Sequence, residues 1–368
     1  MANISRDVIR FSIDGTDVVN FSSFNYLALT DNESILEAGQ NALREHTALG
    51  RIPAYFVGRQ KYLSDAENSA KAYFLCSDSR DVMYIAVGYM LGLIAVQALN
   101  DEFDAAFIDR HAHYNLYDGI RSVDKPYYVY DHLDTCGLKK LLQDKLKPGQ
   151  VPLIITDGVF AASQDVAPLD VLKELADAYD GWLLVDESHS FGVLGKGRGA
   201  AHEFGVQEGR VIYGGSCSKG FAAYGGLIIG PAWIIPKMRS CNAANGTNPG
   251  LSAAASMTAA SLSYLLKHPE VNERLQANIA RLYTDLAEAG YACEGRISAG
   301  MAFFDGDFAF KKDVQAELAQ KGYLVCCLVY QGSGSDGFLK ITVTAGHSFD
   351  EIDGVVREFR KLVPPKQG

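Results

Sequence analysis

From residue 81 to residue 230 the chain alternates short apolar runs with amphipathic helical stretches, and few folds accept that pattern. The runs are Asp81–Ala86, Ala105–Asp109, Tyr127–Tyr130, Leu153–Thr156, Trp182–Val185, Arg210–Tyr213 and Leu227–Ile229. Amphipathic stretches such as Tyr89–Asn100, Leu138–Leu146 and Leu169–Tyr179 lie between them. Strand and helix in turn predict an α/β protein with a mostly parallel central sheet flanked by helices on both faces. In such sheets ligands bind beyond the carboxyl ends of the strands. The residues to read first are therefore those just after each run.

The rest of the chain suggests further parts. A length of 368 residues is too great for one simple core. Leu251–Gly290 is rich in Ala and Leu and broken only by Pro269, which predicts one or two linking helices. Beyond 291, three strand-like runs (Gly300–Phe304, Tyr323–Val329, Phe338–Val343) and two helices suffice for a small α+β domain. The first ~30 residues read as an arm or strand pair, being too few to bury a core. The expected division is an arm over 1–35, a large domain over 36–240, linking helices over 241–290 and a small domain over 291–368.

A formal net charge of -10 argues against bulk nucleic-acid binding, which needs a basic face. Any anionic ligand must then be captured locally. No apolar run reaches the ~20 residues of a membrane span, and Met1–Asp7 lacks the apolar stretch of a signal peptide. The seven cysteines are odd in number and show no CxxC spacing. Adjacent Cys326 and Cys327 fall in an apolar run, so buried free thiols in a reducing cytoplasm are expected rather than a zinc site.

The strand ends hold the chemistry. Trp182–Val185 runs into Asp186-Glu187-Ser188-His189 and a glycine-rich stretch. That is either a capped polar loop or an acid buried beneath a cofactor with a histidine beside it. Arg210–Tyr213 leads into Gly214-Gly215-Ser216-Cys217-Ser218-Lys219-Gly220. A lysine among small and hydroxyl residues suits a Schiff base, because a flat cofactor can approach the backbone and hydroxyls can bind phosphate. An isolated SxSK would more simply be a surface loop. Here the chain returns at once to the apolar Leu227–Ile229, which pins the lysine between two strands. Gly88-Tyr89 opens a helix whose free N–H groups suit a phosphate. His113, beyond Asp109, is either a ring that stacks on a cofactor or a structural histidine.

As a set, these motifs resemble the α-oxoamine synthases, a family of fold-type I pyridoxal-phosphate enzymes. The similarity runs from about Phe21 to Lys361. Its strongest stretches are Thr156–Phe160 with Asp165–Leu169, Val185–Ser190 with Gly192-Val193, and Ser216–Gly220 with Gly225-Gly226; Ala345–Ser348 followed by Ile352-Asp353 matches the family's ending. The resemblance implies pyridoxal 5'-phosphate as cofactor. It assigns Lys219 the Schiff base and the proton transfer at Cα, Asp186 the pyridine nitrogen, His189 the phenolic oxygen and His113 the ring face. Gly88, Tyr89, Ser216 and Ser218 would hold the phosphate, with Thr247 lent to the neighbouring subunit of a homodimer with shared sites. It implies a decarboxylating condensation of an amino acid with an acyl thioester, on coenzyme A or a carrier protein. Transamination, retro-aldol cleavage and a non-catalytic partner subunit are the alternatives.

The departures fall on the substrate side. The family's Ser-Asn-Asp-Tyr reads Ser23-Phe24-Asn25-Tyr26, and the usual glycine-rich stretch, here His46–Gly58, has lost most of its glycines. Val87 replaces a serine before the phosphate helix. Asn25 and Lys340 fall at substrate positions, Lys340 standing where the family carries a carboxylate-binding arginine. A lysine keeps the charge and loses the bidentate fork. The alternative is a solvent-facing strand lysine, with Arg357 or another cation on the carboxylate.

Overall fold

The computed structural model describes residues 8–13, 15–46, 60–292 and 297–365. The sequence's opening stretch Met1–Asp7 and nearly all of the altered stretch His46–Gly58 lie outside them. The strands are β1 (Arg10–Ile13), β2 (Thr16–Phe21), β3 (Arg80–Ile85), β4 (Ala105–Asp109), β5 (Tyr127–Tyr130), β6 (Pro152–Asp157), β7 (Trp182–Asp186), β8 (Val211–Ser216), β9 (Gly226–Pro231), β10 (Gly300–Phe303), β11 (Tyr323–Leu328) and β12 (Phe338–Thr342). They fall into two compact units. One comprises residues 32–159 and 167–268, the other 1–31, 160–166 and 269–368.

The larger unit is built on a seven-stranded sheet in the order β3-β9-β8-β7-β6-β4-β5. From β8 to β5 all neighbours are parallel. Every residue of β4, β6 and β7 is buried, as strands covered on both faces must be. β9 departs from the parallel rule and runs antiparallel to both β8 and β3. The connection from Ser216 to Gly226 is too short for a crossover helix, and a parallel neighbour would require one. The loop that carries Lys219 therefore closes a β8–β9 hairpin.

Two helices on this sheet set the geometry of the site. The expected Tyr89–Asn100 helix forms as a single 3-10 turn, Gly88–Met90, followed by the helix Leu91–Ala98. The helix Tyr114–Arg121 follows β4, its N-terminus capped by the side chain of His113. These two helices meet backbone to backbone. A Cβ on Gly92 would lie within the main chain of Asn115, and one on Gly119 would come within 2.5 Å of Gly92. Glycine at both positions lets His113 and Asn115 close on the Gly88 turn. The Ala- and Leu-rich stretch is two helices, Ser252–Lys267 and Glu270–Glu288, parted at Pro269.

The smaller unit holds the sheet β1-β2-β11-β12-β10. The expected N-terminal strand pair forms, and β2 adds parallel to β11. The family-like Ala345–Ser348 run is a structural turn here. His347 stacks on Phe21 with ring centroids 4.2 Å apart, Asn278 donates to the carbonyls of Thr344 and His347, and Ser348 with Glu351 forms a capping box on the helix Phe349–Leu362. The described cysteines form no disulfide; Cys217, Cys326 and Cys327 are buried, whereas Cys136 is exposed.

Candidate active site

A cavity of about 230 Å³ opens among the carboxyl ends of the larger sheet's strands, lined by Gly88, Tyr89, His113, Asn115, Asp186, Ser188, Ser216, Ser218 and Lys219, with Val87, Tyr224 and Gly225. Each residue arrives there for a local reason. Asp186 is the last residue of β7, and the N–H of Ser188 turns back to its Oδ1 at 2.8 Å. The amide of Asn115 donates to its Oδ2, also at 2.8 Å. Ser216 ends β8, its N–H donating to Ser188 Oγ at 2.9 Å. The hydroxyls of Ser216 and Ser218 pair at 2.6 Å. Gly88 must be glycine, because a Cβ there would stand 2.7 Å from Ser216 Cα.

The electrostatics centre on Lys219. Burial pushes its ammonium below the usual lysine range, an effect opposed by the nearby carboxylates of Asp186 and Asp157. Asp157 closes β6 directly beside Asp186 in the register of the two strands. Burial first, and the Asp186 charge second, raise its carboxyl well above the usual carboxylate range. Two adjacent acids cannot both ionise freely out of water. Asp157 also accepts the N–H of His113 at 3.1 Å. The next acid, Glu187, is fully buried, accepts from Ser190 and from the N–H groups of Ala200 and Ala201, and is raised to about 7 by burial. It holds the following turn.

The family model for class I and II aminotransferases matches residues 16–359. Over 359 residues the chain is 31% identical to the 8-amino-7-oxononanoate synthase of Aromatoleum aromaticum, covering 95% of this chain and 90% of that protein. The chain belongs to the class I and II aminotransferase family, in its α-oxoamine synthase branch. A second 8-amino-7-oxononanoate synthase, from Methylococcus capsulatus, is 29% identical over 96% of this chain and 92% of its own length. The fold also matches the serine palmitoyltransferase of S. paucimobilis, with a TM-score of 0.89 at 22% identity, covering 98% of this chain and 91% of that one.

For a chain of this branch, the cavity fits pyridoxal phosphate on its own chemistry. It offers an amine at Lys219, an acid at Asp186, an aromatic ring at His113, a backbone cradle at Gly88 and two hydroxyls at Ser216 and Ser218. Of the residues expected from sequence, these line one cavity together with Tyr89. His189 is buried in the same turn as Ser188 and stays off the lining. Thr247 lies elsewhere, in the wall of a second cavity beside Glu67 and Arg239, its hydroxyl donating to the carbonyls of Ala243 and Ala244.

Asn25 and Lys340 belong to the smaller unit. Asn25 is buried, its Oδ1 accepting from Leu29 and its amide donating to Thr30. Lys340 does not face solvent: it is 1% exposed, donates to Ala161 O at 2.7 Å and sits 4.7 Å from the centroid of the Phe24 ring. Arg357 is exposed beside Glu358. Sequence reading passed over Asn115, Asp157, Ser188 and Tyr224. The signal for Asn115 was its place two residues after His113, and for Asp157 its place at the end of β6.

Proposed function

We propose that this protein condenses an amino acid with an acyl thioester, carried on coenzyme A or a carrier protein. A bond forms between the amino acid's Cα and the acyl carbon, the thiolate leaves, CO2 is lost and a proton is taken up, giving an α-aminoketone and a free thiol. The observation that carries this reading is Lys219, desolvated and flanked by Asp186 and Asp157, in a chain 31% identical to an 8-amino-7-oxononanoate synthase.

Pyridoxal phosphate, when bound, supplies an electron sink for the bonding pair released at Cα. The remaining work falls to the chain. Lys219 would hold the cofactor covalently until the substrate's amine displaces it, and its freed Nζ would then take the proton from Cα; burial, which lowers its hold on its own proton, favours the free amine that this needs. Asp186 would keep a proton on the pyridine nitrogen, and His189, just off the cavity lining, is assigned the phenolic oxygen by the family resemblance. His113 gives a flat aromatic wall. Ser216, Ser218 and the N–H groups at Gly88 and Tyr89 bind the phosphate, which matters in a chain of net charge -10. Asn25 and Lys340 bind the amino-acid substrate. The working form is a homodimer with shared sites, Thr247 reaching the neighbour's phosphate. No described helix is long and apolar enough to cross a membrane, and we place the enzyme in the cytoplasm.

The test is a panel of amino acids and acyl thioesters, with free thiol, CO2 and product mass followed together. Stoichiometric thiol and CO2 release supports condensation. Conversion of an amino acid to its keto acid without thiol release would replace this reading with transamination.

A further inference from the structure

Asp186 and His113 come from different strand ends, 73 positions apart in the sequence numbering, and one residue touches both. Asn115 is 2% exposed. Its side-chain amide donates to Asp186 Oδ2 at 2.8 Å, and its backbone N–H donates to His113 Nδ1 at 3.3 Å. The second bond makes Nδ1 an acceptor, so the proton of a neutral ring sits on Nε2. The first uses one lone pair of Asp186 Oδ2, while the Ser188 N–H uses one on Oδ1. Each carboxylate oxygen keeps capacity for a donor in the cavity.

The orientation of the Asn115 amide follows from chemistry. Turned over, Oδ1 would face a carboxylate oxygen, and two acceptors repel. As it stands, Asn115 Oδ1 is buried with no hydrogen-bond partner. A buried acceptor left so is costly. The side chain's position is thus set by what its amide does for Asp186 rather than by its own satisfaction. Asn115 is held in place by the backbone-to-backbone contact at Gly92.

We propose that Asn115 is a positioning residue that ties Asp186 and His113 into one rigid element, so that acid and ring meet the cofactor in a fixed mutual geometry. It lines the cavity and acts through Asp186 and His113. The inference rests on the pyridoxal-phosphate reading above. The charged groups around the pair are Asp157 from β6, Lys219 from the β8–β9 loop and Glu187 in the following turn.

The experiment titrates pyridoxal phosphate into cofactor-free wild type, Asn115→Ala and Asn115→Asp, then follows the visible band of each loaded protein against pH. Both variants should weaken cofactor binding about tenfold or more, as expected when a hydrogen bond to a charged group is lost. The pH midpoint of the band should move upward in both, and further in Asn115→Asp, which adds negative charge beside Asp186. A merely structural residue would change thermal stability without moving that midpoint. In an Asp186→Ala background, Asn115→Ala should cause little further loss of affinity, because the partner is gone. If Asn115→Ala does not fold, the near-isosteric Asn115→Asp still reads the donor. Folded variants with wild-type affinity and midpoint overturn the proposal, as do fully additive losses in the double variant. Wild type that takes up no cofactor at all would overturn the functional reading and this inference together.

Discussion

Lys219 in the larger unit and Lys311 in the smaller are both withdrawn from water, yet their surroundings suit them to opposite tasks. Lys311 is fully buried. Its Nζ donates to the carbonyls of Gly306 and Asp336 at 2.6 and 2.9 Å, so it cross-links two turns as a multidentate donor. Lys219 is only half-buried. It faces a cavity with two acids nearby, and burial lowers its hold on its proton. Carbonyl partners turn a buried lysine into a strut. An open wall with acids at a distance leaves it available for covalent chemistry. Depth of burial separates the two cases, and so do the identity and reach of the partners.

The comparison breaks most sharply at Lys219. Lys219→Ala should lower turnover by about 10³-fold or more, and borohydride should no longer fix the cofactor to the chain, while stability to urea changes little. Peptide mapping after borohydride treatment of the wild type checks it: label on Lys311 or any other lysine would reverse the assignment. Asp186→Asn comes next, with an expected loss of about 2–4 kcal/mol of transition-state stabilisation and retained cofactor binding. Wild-type turnover in that variant would make Asp186 a structural acid.

Lys311→Met should do the converse of Lys219→Ala. It removes a cross-link and costs about 1–3 kcal/mol of stability, read as a lower urea midpoint, with the loaded enzyme's kcat unchanged. Lys340→Ala is a smaller and more selective test. If Lys340 binds the amino-acid carboxylate, the variant weakens amino-acid binding by a few-fold, on the order of 1 kcal/mol, and leaves acyl-thioester binding alone. An unchanged amino-acid dissociation constant would mean that Lys340 only anchors Ala161.

The smallest effect is a pH slope in cofactor-free protein. The folded-state pKa of Lys219 lies below the unfolded value, so between the two the unfolded chain binds more protons and stability rises with pH. Wild type should gain stability relative to Lys219→Met as pH rises through that window toward the ordinary lysine value. Parallel stability curves for the two proteins would show that Lys219 titrates normally.

Much of the site was legible because its residues follow strands directly. Asp186 ends β7, Ser216 ends β8, and Lys219 sits in a loop whose two flanking strands are apolar. A burial pattern and a strand end are local properties. The antiparallel course of β9 was hidden in the same residues, since a nine-residue connection is read as a hairpin only once both strands are known to share an edge. Lys340 shows the limit in another way. The sequence leaves open whether it faces solvent, and the structure turns it inward onto Phe24 and Ala161.

By itself the sequence determined the fold class and put Asp186 at the end of one strand and Lys219 in the loop just after another, because periodicity and strand-end position are written along the chain. Only the tertiary structure decided that Asn115 reaches Asp186 across 71 residues, that Asp157 holds His113 across 44, and that Asp157 and Asp186 lie side by side. Those contacts depend on the register of parallel strands and on two helices meeting at Gly92 and Gly119. Register is set by the packing of the whole sheet and its crossovers, and no local stretch of residues contains it.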